Sequence, residues 1–189
     1  HPVYQDKHAG TGKLISVSYT LGGTHAGNYL APANTSFSGA ITRKALSITG
    51  TPVLQARDYD GGRMAQVTNP GSLSGVLAGE SVSMQATATY ENKTVGNGKS
   101  ATVSYSISGP DALNYTAPSD AFGTGDIRPK QLTVTDFNLV STKEYDGSAS
   151  STINNVACSG MIPTDDVQVS AIATYNSSAA GTNKPITVT

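Results

Sequence analysis

The sequence predicts an all-β fold built from tandem antiparallel sandwich modules, and three observations lead there. The segment from Tyr4 to Leu46 reads again from Tyr90 to Leu132, every position 86 later. Several runs alternate apolar and polar residues with the period of a half-buried strand. Thr, Ser, Ala, Gly and Val are abundant by eye, a mixture that favours pleated strands and tight turns, and no stretch carries a helical period.

The repeat divides the chain. Tyr4 and Tyr90, Lys7 and Lys93, Gly12 and Gly98, Tyr19 and Tyr105, Asn28 and Asn114, Tyr29 and Tyr115, and Pro32 and Pro118 all correspond at 86. Tyr59-Asp60-Gly61 returns as Tyr145-Asp146-Gly147 at the same spacing, whereas the run from Gly75 returns from Gly160, 85 later, so one residue is lost between. Such a period exceeds that of solenoid repeats and suits beads that each bury a core. The expected organisation is the C-terminal part of one repeat over 1–42, a complete module over 43–128 and the N-terminal part of a third over 129–189.

Strands follow from alternation and turn residues. Ile15, Val17, Tyr19 and Leu21 form one apolar face, repeated by Ala101, Val103, Tyr105 and Ile107. Val82, Met84, Ala86, Ala88 and Tyr90 form another, repeated by Val167, Val169, Ala171, Ala173 and Tyr175. Further strands are expected at 45–49, 52–57, 63–68, 113–117 and 123–127, giving about seven short strands per module, the pattern of an immunoglobulin-like sandwich. The joints at Ile41–Leu46 and Ile127–Leu132 lack a Gly/Ser run, so one strand should pass almost directly into the next module and make a stiff, extended array.

Composition excludes several function classes. Twelve Lys plus Arg against thirteen Asp plus Glu leave a formal charge of −1, so no strong field draws the chain to nucleic acid or anionic membrane. No run of about 18 apolar residues predicts membrane insertion. The sequence opens inside a repeat, so an export signal would lie outside it. Its single cysteine, Cys158, aligns with Leu73 and reads as a small core residue rather than a reactive thiol.

The motifs with chemical potential have structural readings beside them. GNGKS at 96–100 lacks the earlier glycine and following helix of a phosphate-binding loop, so Asn97-Gly98, like Thr11-Gly12, reads as a hairpin tip. In Tyr59-Asp60-Gly61 and Tyr145-Asp146-Gly147 the Asp is expected to bond the backbone, the Gly to take a positive φ and the Tyr to anchor the turn in the core. Asn28-Tyr29 and Asn114-Tyr115 mark a strand end with a buried ring. His1, His8 and His25 do not recur, so no histidine metal site is carried by the repeat. Asp165-Asp166 could hold calcium at a loop, although six to eight ligands are needed and no calcium-loop spacing is present. No other cofactor is expected. Lys44 and Lys130, the candidates for an isopeptide cross-link, read as solvated charge near an edge.

The Tyr-Asp-Gly triplet followed by GxLxG, then ATATYENKTVGNGKxxTV, NYTAP and GDIxPKxLTV, resembles the YDG and related MBG-type repeats of bacterial surface proteins. That resemblance implies tandem modules of large secreted adhesins, including haemagglutinin-like proteins exported by two-partner secretion, where they act as stalk or spacer units. It transfers no catalytic residue. Asn183 departs from the pattern, standing where Gly98 and Gly12 stand in the other copies, and puts the turn geometry of the last copy in question.

The expected role is therefore a non-enzymatic stalk repeat at a bacterial surface, supporting attachment, aggregation or biofilm, with neighbouring repeats as partners. One alternative is a module that grips matrix polysaccharide through exposed Tyr rings; the absence of Trp weighs against it. Another is self-assembly into a filament, because residues 1–42 supply the kind of strands that the incomplete last copy lacks.

Overall fold

The computed structural model describes residues 2–189. His1 lies outside the described residues. Among them the fold is all-β and sandwich-like, with two 3-10 turns, Ala26–Asn28 and Ala112–Asn114, as the helical elements. The two turns occupy the same place in successive copies. Contacts divide the chain into two units.

The first unit holds residues up to Gln55 together with Met64–Asn92 and Gly98–Asp126. Its core forms around a long hairpin. The Ser83–Tyr90 strand pairs antiparallel with the second half of the Gly96–Ser108 strand, in unbroken register from Ser83↔Ser108 to Tyr90↔Ala101. The alternation buries one face as expected: Ala88, Tyr90, Ala101, Val103 and Tyr105 are all buried, whereas Gln85, Ser104 and Ser106 are exposed. Met64–Ala65 extends this sheet on the Ser83–Tyr90 side and Ala121–Arg128 on the other. Facing it are small ladders, Val53–Leu54 on Val67–Asn69 and Ser47–Thr49 on Ser72–Ser74. Leu46, Leu54 and Tyr115 close the core.

Earlier in this unit Val3–Tyr4, Gly10–Val17 and Thr35–Ile41 form a three-stranded antiparallel sheet. Tyr19 and Leu21, expected to continue the second strand, lie past its end and are exposed, because the ladder closes at Val17↔Thr35. Several expected strands are also broken. The 52–57 run splits into Val53–Leu54 and Arg57–Asp58, and 63–68 becomes Met64–Ala65 and Val67–Asn69. Two pairings are parallel: Tyr115–Thr116 lies beside Lys44–Ala45 in this unit, and Ile127–Arg128 lies beside Arg57–Asp58 in the second.

The second unit holds Ala56–Arg63, Lys93–Asn97 and Ile127–Thr189. Thr133–Leu139 pairs with Ile153–Ser159, putting Cys158 opposite Val134 as Leu73 is opposite Ile48. Cys158 and Leu73 are both half-buried. Ser150–Ser151, Ala173–Tyr175 and Ile186–Val188 form a second sheet. The expected strand from Val167 is shorter than its counterpart in the middle copy. Ile172 and Thr189 exchange both backbone bonds, so at this register the positions opposite Val167–Ala171 fall beyond Thr189. Ala173 is buried, as Ala88 is at the same place in the middle copy.

Glycine at 98 is a correction to the hairpin reading. The turn between the Ser83–Tyr90 and Gly96–Ser108 strands lies within residues 91–95, and Gly98 sits inside the second strand with φ +59. Gly12 has φ +66 within its own strand, where the register shifts between Gly10 and Lys13. The positive φ was expected, but it falls inside a strand rather than at a hairpin tip, and at Gly12 it accompanies a bulge in the ladder. Asn183 keeps the same geometry with φ +53, since Asn tolerates the left-handed region, so the departure in the third copy leaves the backbone turn intact.

The lysine that follows recurs in function. Lys13 reaches back to Asp6, Lys99 to Asn92 at 2.5 Å and Lys184 to Ser177 Oγ at 2.8 Å, each seven residues earlier. In all three copies it closes the loop that precedes the positive-φ residue.

Candidate functional site

The Tyr-Asp-Gly turns are built alike. Asp60 Oδ1 accepts the Gly62 N–H at 2.8 Å, and Asp146 Oδ1 accepts the Ser148 N–H at 2.9 Å, so each carboxylate closes an Asx turn two residues on. Gly61 and Gly147 take φ +79 and +78, a conformation that costs glycine little. A basic side chain three residues before the Asp completes the turn: Arg57 meets Asp60 at 2.5 Å and Lys143 meets Asp146 at 2.8 Å. Arg57 also donates to Gly62 O at 2.6 Å, and Lys143 to Ser148 O at 3.0 Å.

These contacts lower both carboxylates. Asp60 is held below its ordinary value mainly by the Gly62 N–H, with Arg57 adding to it. Asp146 is lowered to about 2, first by Lys143 and then by the Ser148 N–H. The groups are exposed, so they define local turn geometry more than they stabilise the fold.

The tyrosines do not enter their own cores. Tyr145 is 72% exposed, and Tyr59 is half-buried beneath polar groups. The Lys93 ammonium stands 5.9 Å from the Tyr59 ring centroid and pairs with Asp165 at 3.3 Å. The expectation of a core anchor is thereby corrected: Asp-mediated closure of the turn leaves the preceding ring pointing outward.

The Asn-Tyr pairs behave differently in the two copies. Tyr115 is buried; its hydroxyl donates to Glu80 Oε2 at 2.6 Å and accepts the Leu77 N–H at 3.0 Å. Burial, and then the Glu80 carboxylate, push this phenol above its ordinary value. Tyr29, at the equivalent place, is 73% exposed, which corrects the expected buried ring there. Asn114 Oδ1 accepts the Ala9 N–H at 3.0 Å, and its amide lies 3.3 Å from His8 Nδ1; Asn28 is exposed. Gly98 donates its N–H to Asp126 Oδ1 at 2.7 Å, which ties this positive-φ position to the Ala121–Arg128 strand.

Sequence reasoning missed the ion pairs Lys7–Glu80 and Lys93–Asp165. The signal was present, for Lys7 and Lys93 correspond at 86 and Glu80 and Asp165 at 85. Asp165, one of the two acids considered for calcium, is engaged by Lys93 in an ion pair. Among the described residues no group of three or more His, Cys, Asp or Glu side chains could hold a metal ion. No helix among them is long and apolar enough to cross a membrane. Lys44 and Lys130 are exposed, away from the buried setting an isopeptide bond needs.

A cleft of about 580 Å³ lies in the second unit, lined in part by Lys143, Tyr145, Tyr175, Ser177, Lys184 and Ile186. Lys143 Nζ stands 6.0 Å from the Tyr175 ring centroid at its wall.

Searches of curated proteins and of solved structures each find no match. The YDG domain model matches residues 42–122 and again 128–189. Each match contains one Tyr-Asp-Gly turn with the same Asx closure, and the chain belongs to the YDG domain family.

Proposed function

We propose that this chain is a structural stalk or spacer segment of a secreted bacterial adhesin, acting outside the cell and without enzymatic activity. One observation carries the reading: the features that recur between copies are turn, backbone and ladder features. Asp60 and Asp146 close the same turn, Gly12, Gly98 and Asn183 take the same positive φ, and Lys13, Lys99 and Lys184 bond the same position seven residues earlier. The histidines and Cys158 do not recur. Repeated scaffold with unrepeated chemistry suits an element whose output is distance, holding a distal binding domain away from the surface to support attachment, aggregation or biofilm.

The test is functional. A binding domain of known ligand is displayed on cells beyond one, two or three tandem copies, with the ligand fixed beneath a polymer brush. Capture should rise with copy number. Capture independent of copy number would count against the stalk.

A second reading, polysaccharide binding, draws support from the cleft beside Tyr145 and Tyr175, where the exposed Tyr145 ring, the half-buried Tyr175 ring and hydroxyl-rich walls could stack and hydrogen-bond a sugar. Retention of the chain on a glycan array, lost in Tyr145→Ala, would favour it over the spacer.

A further inference from the structure

Two ion pairs far apart in sequence are one contact seen twice. Lys7 Nζ lies 3.0 Å from Glu80 Oε1, and Lys93 Nζ lies 3.3 Å from Asp165 Oδ1. The two lysines hold the same place in successive copies, and so do the two acids. Each pair therefore links the hairpin loop of one copy to the copy that follows it, the first inside the first unit and the second inside the second. A single surface ion pair carries little meaning, because long charged side chains meet often and gain little. The same pair re-formed one period later, on a different acid type, is not explained that way.

The acids are also better engaged than surface carboxylates. The Glu80 side chain is only 9% exposed and that of Asp165 22%. Each has a tyrosine beside it as well, a different one in each case. Glu80 takes the hydroxyl of Tyr115, from its own copy. Beside Asp165 stands Tyr59, from the copy before: its ring carries Lys93, and its phenol is first among the groups that hold the Asp165 carboxylate below its ordinary value. A carboxylate has about four lone-pair sites, enough for one lysine and both tyrosines.

We infer that this acid is the docking point by which one repeat recognises the next, its partner being a further copy of the same repeat. From the preceding copy it takes a lysine and the tyrosine of the Tyr-Asp-Gly turn; from its own copy it takes the tyrosine of the Asn-Tyr pair. The turn tyrosine thus faces outward because its binding site is on its neighbour. Tyr145 presents the same exposed ring, but Ser178 stands at the lysine position, so the third copy offers a neighbour the aromatic half of the contact without the cation. The inference rests on the repeat geometry and holds wherever the array is displayed.

Charge reversal in the whole chain tests it. Lys93→Glu and Asp165→Lys should each speed amide exchange in the Ala173–Tyr175 ladder by about threefold to tenfold, and the combined variant should recover most of the loss, as expected for directly coupled groups. Tyr59→Phe should act in the same direction in the wild-type background and have little effect once Asp165→Asn is present. Exchange in the Ser83–Tyr90 ladder serves as the control for folding and should stay unchanged. The same reversal at Lys7 and Glu80 should repeat the pattern in the Gly10–Val17 ladder. Additive single effects, or a combined reversal no better than the product of its parts, would overturn the docking role, as would single variants indistinguishable from wild type.

Discussion

Gly125 lies beneath the hydroxyl end of the Tyr90 ring, so close that a Cβ on Gly125 would collide with the phenol oxygen and come within 3.1 Å of Leu54 Cβ. The pairing recurs one period earlier, where a Cβ on Gly39 would come within 3.2 Å of the Tyr4 ring and 2.6 Å of Ile15 Cδ1. A cross-strand glycine lets the aromatic ring lie flat over the sheet, and the largest fully buried side chain of the core depends on it.

Gly125→Ala should therefore destabilise the chain by about 1–3 kcal/mol, the usual range for overpacking a tight core. Gly39→Ala should cost less, because Tyr4 is 41% exposed and can swing outward. Urea midpoints at constant slope measure both.

The positive-φ position at Gly98 separates backbone strain from packing. Nothing lies within 4 Å of a Cβ built at Gly98, so a substitution there meets only the left-handed backbone. Gly98→Ala should cost about 1–2 kcal/mol. Gly98→Asn should cost clearly less, since Asn183 already holds this geometry in the third copy. Chemical denaturation of the two variants side by side gives the order.

Asp146 sets a pH window. Its carboxylate falls from an ordinary 3.8 to about 2, because Lys143 and then the Ser148 N–H favour the charged form. A lowered folded-state value means that the turn's contribution is complete above the ordinary value and is lost as pH falls from 3.8 towards 2. An NMR titration should show the Asp146 carboxyl and the Ser148 amide shifting together with a midpoint near 2, and Asp146→Asn should abolish the amide's shift.

Tyr115→Phe removes one acceptor and one donor at once, leaving the Leu77 N–H and Glu80 without it. The expected loss is about 1–2 kcal/mol by denaturant unfolding, the cost of part-buried polar groups losing a partner. Tyr29→Phe, at an exposed ring, should be neutral in the same assay.

What the sequence made readable was local. The Asp60 and Asp146 turns close within two residues, so Asp and Gly in that order are sufficient to recognise them. The alternation over Ser83–Tyr90 and Ala101–Tyr105 likewise needs only neighbours two positions away. Gly98 was half readable: its positive φ follows from residue type, but whether it lies at a hairpin tip or inside a strand depends on partners such as Asp126, 28 residues on. Tyr59 and Tyr145 were misread as core anchors because a tyrosine beside a turn says nothing about which surface its ring will meet. The cation over the Tyr59 ring is Lys93, whose own acid, Asp165, lies more than a hundred residues after Tyr59. The periodic recurrence of Lys7 with Lys93 and Glu80 with Asp165 held the clue, since opposite charges kept in register at different places in a repeat are candidates for meeting across its boundary.

The central claim, that the repeated module supplies distance, is tested most directly by small-angle scattering from chains lengthened by one and then two further copies of residues 43–128. The account predicts that the maximum dimension grows by the same increment with each copy. A maximum dimension that levels off, while the radius of gyration rises only as for a single compact body, would contradict it.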